Sequence, residues 1–270
     1  MKEAQPKAIY LKDYQAPDYW IDHTDLTFDL FEDHATVTSV LDIYRNQDQA
    51  NTGGILPELV LVGDGLELIS VEIDGHGVSD YKEEEGFLKV TVKAEQFSLT
   101  TVCKIKPQEN TSLEGLYKSN GMFCTQCEAE GFRKITYYLD RPDVMSRFTT
   151  KIIADKAMYP VLLSNGNDID RGKLEKGRHW VKWEDPFKKP SYLFALVAGD
   201  LQFVEDHYTT MSGRKVVLRI FTEAHNIDQC DHAMVSLKKS MKWDEDVYGR
   251  EYDLDIFMIV AVDHFNMGAM

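Results

Sequence analysis

The 270-residue sequence carries 45 acidic and 30 basic side chains, which gives a formal net charge of −15. This excess repels phosphate backbones and anionic lipid, so we expect neither a nucleic acid nor a membrane surface as a partner. With 43% hydrophobic residues, the chain can bury a sizeable core, which is typical of one or two folded domains.

The lack of a membrane-spanning or secretion segment and the low cysteine content both favour a cytoplasmic protein. The longest apolar run, residues 256–262, has seven residues, whereas a transmembrane helix needs about twenty. Residues 1–20 contain no apolar core of the kind that marks a secretion signal. Four cysteines are too few for a disulfide scaffold in a chain of this size, so we expect reduced thiols.

The first two hundred residues have the pattern of a β domain. Leu26, Phe28 and Leu30 alternate with polar residues, which is the period of a half-buried strand. Asn165-Gly166 has the composition of a hairpin turn, although the next apolar run is distant. Short strands separated by turns indicate a mostly antiparallel sandwich or open barrel. Further strands are predicted at 36–45, 66–73, 87–92, 101–106 and 179–183.

The pattern changes near residues 198–200, and a strand at 215–222 precedes the strongest helix signal. Asn226 is a candidate N-cap for this helix, and Gly249 is a candidate stop. After the helix, residues 255–262 form a near-continuous apolar run, typical of a strand covered on both faces. The predicted buried face of the helix consists of Cys230, Met234, Leu237 and Met241.

A strand that is covered on both faces requires further elements to cover it. We therefore expect the sequence to be the front part of a longer protein. Residues 1–200 would form a complete β domain, and residues 201–270 the beginning of a second, α+β domain. The predicted fold class is mainly β.

The segment 122–144 combines a CxxC pair with the acids Glu128 and Glu130, which follow it closely. Structural zinc needs four ligands, and no second CxxC or HxxxH is present, so Cys124 and Cys127 are better explained as small buried hydrophobes. Glu128 follows a predicted strand, where it is either a site carboxylate or a solvated loop acid. The residues alone favour the solvated acid.

The terminal segment 262–270 follows the buried strand. Gly268 and Ala269 are small enough to let another backbone approach, and such an edge can bind an extended peptide as an added strand. Met267 and Met270 could form an adaptable pocket wall. Spacing alone favours an ordinary turn at this position.

Three segments carry a resemblance to a known family: CTQCEAEGFRKITYYLDRPDVMSRFTTKI, YLFALVAGD and SLKKSMKWDEDVYGREYDLDIFMIVAVDHFNMGAM. In this order they resemble the N-terminal part of bacterial aminopeptidase N, a gluzincin zinc metallopeptidase. Gly268, Ala269 and Met270 match the first three positions of the family's GAMEN motif, whose Glu and Asn would be the next two residues. The HExxH zinc motif follows later in the family.

The resemblance implies a large antiparallel β domain followed by the start of a thermolysin-like domain. Glu128 matches the family's acid that binds the substrate α-ammonium, and Gln126 matches its neighbour in the first side-chain pocket. Met267 matches a residue that cushions this pocket, and Gly268 and Ala269 match the backbone that pairs with the substrate. No catalytic residue and no zinc ligand is implied within this chain, so Zn²⁺ would be bound by residues beyond 270.

The function implied is that of a zinc aminopeptidase, which releases N-terminal amino acids from peptides with a free N-terminus. The isolated chain is expected to be inactive and to need the remainder of its own catalytic domain as a partner. Two alternatives remain open: a non-catalytic scaffold or binding module related to the family, and an epoxide-hydrolysing relative that shares the zinc site.

Overall fold

The computed structural model describes residues 10–49, 56–84 and 86–263. In these ranges there is one α-helix, α1 (Asp231–Tyr248), and no helix there is long and apolar enough to cross a membrane. Short 3-10 helices occupy Leu11–Asp13, Gln47–Gln49, Phe132–Lys134, Ser191–Leu193 and Ala224–Gln229. The strands are β1 (Tyr19–Leu30), β2 (Ala35–Arg45), β3 (Leu59–Val62), β4 (Glu67–Ile73), β5 (His76–Gly77), β6 (Tyr81–Glu84), β7 (Phe87–Val90), β8 (Gln96–Ile105), β9 (Gly115–Ser119), β10 (Met122–Gln126), β11 (Met145–Asp155), β12 (Val161–Ser164), β13 (Asn167–Lys173), β14 (Arg178–Pro190), β15 (Leu196–Gly199), β16 (Gln202–Thr209), β17 (Lys215–Thr222) and β18 (Ile256–Val260).

The first fifteen strands form three open sheets, which confirms the predicted mainly β fold. The largest sheet has the order β13-β14-β11-β1-β2-β8-β4-β5, and the others have the orders β12-β15-β10-β9 and β3-β7-β6. Neighbours in these sheets are antiparallel except β1 and β11, which are parallel. None of the three sheets is a closed barrel, because each has two different end strands in its order.

Alternating burial explains why the predicted strands form. In β1, Leu26, Phe28 and Leu30 are buried, and the residues between them are half-buried, as the two-residue period predicts. β8 shows the same alternation over ten residues and begins five residues before the predicted strand at 101–106. The hydrophobic period therefore located these strands, while their ends depended on pairing with neighbours.

Asn165-Gly166 forms a turn but not a simple hairpin, as the distance to the next apolar run indicated. These two residues do separate β12 from β13, but β12 pairs with β15 and β13 pairs with β14, in different sheets. Gly166 has a φ of +90°, so the turn does use the conformational freedom of glycine. β13 was missed because it lies at the end of its sheet and is mostly exposed, so its sequence shows no apolar alternation.

The predicted helix face is confirmed, whereas the predicted N-cap is wrong. The four face residues are buried, and Gly249 ends α1 with a φ of +61°. Asn226, however, lies in the 3-10 helix before α1, and its side-chain amide donates to Asp263 at 2.8 Å. Its side-chain oxygen accepts from the Gln229 amide at 2.9 Å and caps no backbone N–H of α1, which begins at Asp231.

The last three strands form a separate sheet in the order β16-β17-β18, in which β17 and β18 are parallel. On one face, Leu218 and Ile220 pack with the buried side of α1. On the other face, Phe221 and Ile256 belong to the same buried cluster as the first fifteen strands. The predicted strand at 255–262 therefore has apolar contacts on both faces, but it is shorter than predicted and only Ile256 within it is buried.

The shared core predicts a stability effect at Phe221, whose side chain is 3% exposed between the last sheet and the preceding ones. Phe221→Ala should lower the free energy of unfolding by about 3–5 kcal/mol, because it removes a large buried side chain and leaves a cavity. Phe187 is 49% exposed, so Phe187→Ala should cost under about 1 kcal/mol. Urea unfolding of both variants measures the difference, and equal losses would contradict a shared core.

Candidate functional site

The candidate site begins at the buried end of β10. All five residues of this strand are buried, and β10 pairs with β9 on one side and β15 on the other. Gln126, its last residue, is 1% exposed. The Gln126 side-chain carbonyl accepts a hydrogen bond from the Glu128 backbone N–H at 3.1 Å. The backbone of Glu128 is therefore tied to a strand that is fixed on both edges.

Residues 127–131 form a closed turn with buried ends. The Gly131 N–H donates to the Cys127 carbonyl at 2.8 Å. Cys127 is fully buried at the start of the turn, and Phe132 is fully buried directly after it. Only the three middle residues, 128–130, are exposed, so the Glu128 carboxylate faces solvent from a short, anchored turn.

The turn packs closely at Gly131. A Cβ at this position would lie 2.5 Å from the Gln126 carbonyl oxygen and 2.9 Å from the Gly115 backbone nitrogen. The φ of Gly131 is −81°, which any residue adopts, so glycine is needed here for space rather than for backbone conformation.

The two exposed acids of the turn differ in their partners. Glu130 pairs with Arg133 at 3.2 Å. Among the residues that the structure describes, no Lys, Arg or His nitrogen lies within 4.0 Å of the Glu128 carboxylate. Glu128 can therefore accept an external cation without first breaking an ion pair.

Arg133, Asp140 and Ser191 hold the turn in place. The Arg133 side chain donates to Asp140 at 2.9 Å, and the Ser191 hydroxyl donates to the same carboxylate at 2.6 Å. None of the three was predicted as a site residue. Arg133 and Asp140 are seven residues apart, but Ser191 is 51 residues from Asp140, so no local spacing in the sequence indicates the whole network.

The two cysteines of the CxxC pair are buried, as predicted. Burial raises the pKa of the Cys124 thiol, and burial together with the nearby Asp140 charge raises the pKa of the Cys127 thiol. Both thiols are therefore protonated near neutral pH, and a protonated thiol is a poor metal ligand. In the described ranges, no group of three or more His, Cys, Asp or Glu side chains is placed to hold a metal ion.

The second predicted part of the site cannot be compared with the structure. Met267, Gly268, Ala269 and Met270 lie outside the described residues. The chain just before them is anchored, because the Asp263 carboxylate accepts from the Asn226 amide and contacts His225, each at 2.8 Å.

Comparison with known proteins indicates the class of protein that the chain resembles. Residues 67–193 match the Peptidase M1 N-terminal domain family. The structure is similar to that of aminopeptidase A from Legionella pneumophila in complex with aspartic acid. The TM-score is 0.89 at 34% identity, over 96% of this chain and 30% of that chain.

A second solved structure is more distant and supports the fold alone. It is an M1 zinc metallopeptidase from Deinococcus radiodurans, a mutant bound to a Tyr-Ser-Ala substrate. Its TM-score is 0.73 at 15% identity, over 90% of this chain and 56% of that chain.

Within this class, the chain is similar to bacterial aminopeptidase N. It is 56% identical to the Escherichia coli enzyme over 98% of this chain, and 49% identical to that of Caulobacter vibrioides over all of it. The resemblance inferred from the sequence is therefore confirmed. The chain spans about 30% of the length of these relatives.

The packing at Gly131 predicts that Gly131→Ala destabilises the protein by roughly 1–3 kcal/mol, because the new methyl group overlaps the backbone of β10. Gly77 is a matched control, since its φ is not positive and a Cβ there would meet nothing within 4 Å. Gly77→Ala should change stability by under about 0.5 kcal/mol. Thermal unfolding of both variants is the measurement, and similar melting temperatures would rule out the close packing.

The metal-ligating side chains of the described residues predict that the 270-residue chain binds no stoichiometric zinc at micromolar concentration. The buried Cys124 and Cys127 would have to lose protons without the help of further ligands. Elemental analysis after dialysis against about 1 µM zinc should find far less than one zinc per chain. One tightly held zinc, lost in a Cys124→Ser/Cys127→Ser variant, would show that the pair is a metal site.

Proposed function

We propose that this chain is the N-terminal part of a zinc aminopeptidase that releases N-terminal amino acids from peptides. The observation that carries the proposal is the Glu128 carboxylate, exposed and without an ion pair in the described part of the chain, on a turn anchored at both ends. The similarity to bacterial aminopeptidase N over nearly the whole chain supports the reaction class.

In this proposal, Glu128 binds the α-ammonium group of the substrate. An aminopeptidase must recognise a free N-terminus, and a fixed carboxylate does so because a blocked or internal peptide offers no cation to pair with it. Gln126 would line the first side-chain pocket, where its burial keeps the amide in one orientation. Met267 would cushion the same pocket, while Gly268, Ala269 and Met270 would contact the substrate backbone.

Zinc in the whole enzyme would polarise the scissile carbonyl and activate water. Its ligands and the general base would come from residues outside this chain, because the described residues offer no ligand set. The remainder of the catalytic domain is therefore the necessary partner, and the isolated chain would be inactive. We propose a cytoplasmic location for the enzyme.

We also propose a domain boundary near residue 200. Strands β1 to β15 end at Gly199, and the separate sheet that begins with β16 starts at Gln202. This arrangement supports a β domain over residues 1–200 and the start of an α+β domain over residues 201–270, although both share buried contacts.

The proposal predicts that Glu128→Gln in the full-length enzyme lowers kcat/KM by about thirty-fold or more. The variant keeps the side-chain shape and removes the charge that pairs with the ammonium group, and charge-assisted pairs are stronger than neutral hydrogen bonds. The measurement is hydrolysis of an aminoacyl-anilide, with zinc content determined in parallel and expected to be unchanged.

Glu130→Gln is the matched control, because Glu130 lies on the same turn but pairs with Arg133 at the surface. It should change kcat/KM by less than about twofold. If both variants have equally small effects, Glu128 is a solvated acid and does not bind the substrate amine. A full-length protein with no hydrolysis at all would instead favour the non-catalytic scaffold. If zinc is lost, Glu128 acts on the metal site rather than on the substrate.

A further inference from the structure

Both cations that follow the Glu128 turn are held by acids other than Glu128. Lys134 pairs with Asp64 at 2.9 Å and with Glu114 at 3.6 Å. Arg133 pairs with the buried Asp140 at 2.9 Å and with the exposed Glu130 at 3.2 Å. The positive charges closest to Glu128 in the sequence are therefore already neutralised.

Asp140 is the main hydrogen-bond and ion-pair partner of Arg133. One carboxylate oxygen accepts from the Arg133 backbone N–H at 3.2 Å and from its Nε at 2.9 Å, while the Asp140 carbonyl accepts from Nη2 at 3.2 Å. The other carboxylate oxygen accepts from the Ser191 hydroxyl at 2.6 Å. Because the Asp140 side chain is 2% exposed, this pair is much less screened than the surface pair with Glu130.

An arginine released from this network would compete with a substrate. Arg133 is five residues from Glu128, and guanidinium groups bind carboxylates with high preference through paired hydrogen bonds. A carboxylate paired with an internal arginine is a weaker acceptor for an external ammonium group. The geometry of Asp140 therefore affects whether Glu128 remains available.

We propose that Asp140 is a positioning residue that keeps Arg133 away from Glu128 and so preserves Glu128 for the substrate amine. This inference rests on the proposed function, since it assumes that Glu128 binds an ammonium group. It assigns to Asp140 an electrostatic role, beyond packing the turn, that acts through Arg133. Ser191 contributes by fixing the second oxygen of the same carboxylate.

The test compares three variants of the full-length zinc enzyme. Asp140→Asn keeps the shape of the side chain and removes its charge, so KM for an aminoacyl-anilide should rise about tenfold, with a smaller change in kcat. Adding Arg133→Met removes the competing cation, so the double variant should recover most of the lost affinity. A purely structural role predicts the opposite, because the double variant would lose further contacts.

Asp143→Asn is the matched control. Asp143 also holds an arginine with both carboxylate oxygens, Arg141 at 2.7 and 2.8 Å. Among the described residues, it makes no hydrogen bond or ion pair with the 127–134 segment. Its KM should stay within about twofold of the wild-type value. A tenfold rise in the control would show that loss of any such aspartate perturbs the enzyme, which would overturn the proposal.

Two further measurements make the result decisive. If Asp140→Asn does not fold, Ser191→Ala is used instead, because it weakens the same anchor and should raise KM about threefold. Adding Arg133→Met to Ser191→Ala should bring KM back towards the wild-type value. Glu128→Gln is assayed in parallel. A silent Glu128→Gln overturns the proposed function and this inference with it. A large loss in Glu128→Gln, with no KM rise in Asp140→Asn or no recovery in the double variant, overturns this inference alone.

Discussion

The burial of Phe132 is the contact on which the candidate site depends. Its ring centroid lies 4.8 Å from that of Tyr138, 6.1 Å from that of Phe148 and 5.4 Å from that of Phe194. Phe148 belongs to the large sheet, and Phe194 lies in the loop that leads into β15 of the four-stranded sheet. A single buried ring, directly after the turn that carries Glu128, thus packs against the large sheet and against this loop, so the exposed acid stands on a rigid support.

Charge placement around this turn results from contacts between distant segments. Arg133 and Lys134 are adjacent in the sequence, but each pairs with acids elsewhere, Arg133 mainly with Asp140 and Lys134 with Asp64. Because the neighbouring cations are paired with other acids, the Glu128 carboxylate remains available for a ligand. The buried Asp140 and the exposed Glu128 therefore have different roles. A buried carboxylate without a partner is strongly destabilising, whereas an exposed carboxylate is stabilised by water.

The last sheet links this site to the end of the described chain. α1 covers one face of β17 and β18, and the shared buried cluster covers the other, so this sheet cannot move without exposing apolar surface on both sides. At its end, Asp263 is fixed by Asn226 and His225. The chain is therefore held in place up to Asp263.

The sequence by itself determined the local periods and the family motif: the strand around Phe28, the buried face of α1, its stop at Gly249, and the resemblance that singled out Glu128 and Gln126. It did not determine the edge strand β13, the role of Asn226, or the network of Arg133, Asp140 and Ser191. Local spacing reports which faces are buried, because burial follows the two-residue and 3.6-residue periods. Partners such as Asp140 and Ser191, 51 residues apart, are decided only when the sheets pack and bring their polar atoms within hydrogen-bond distance.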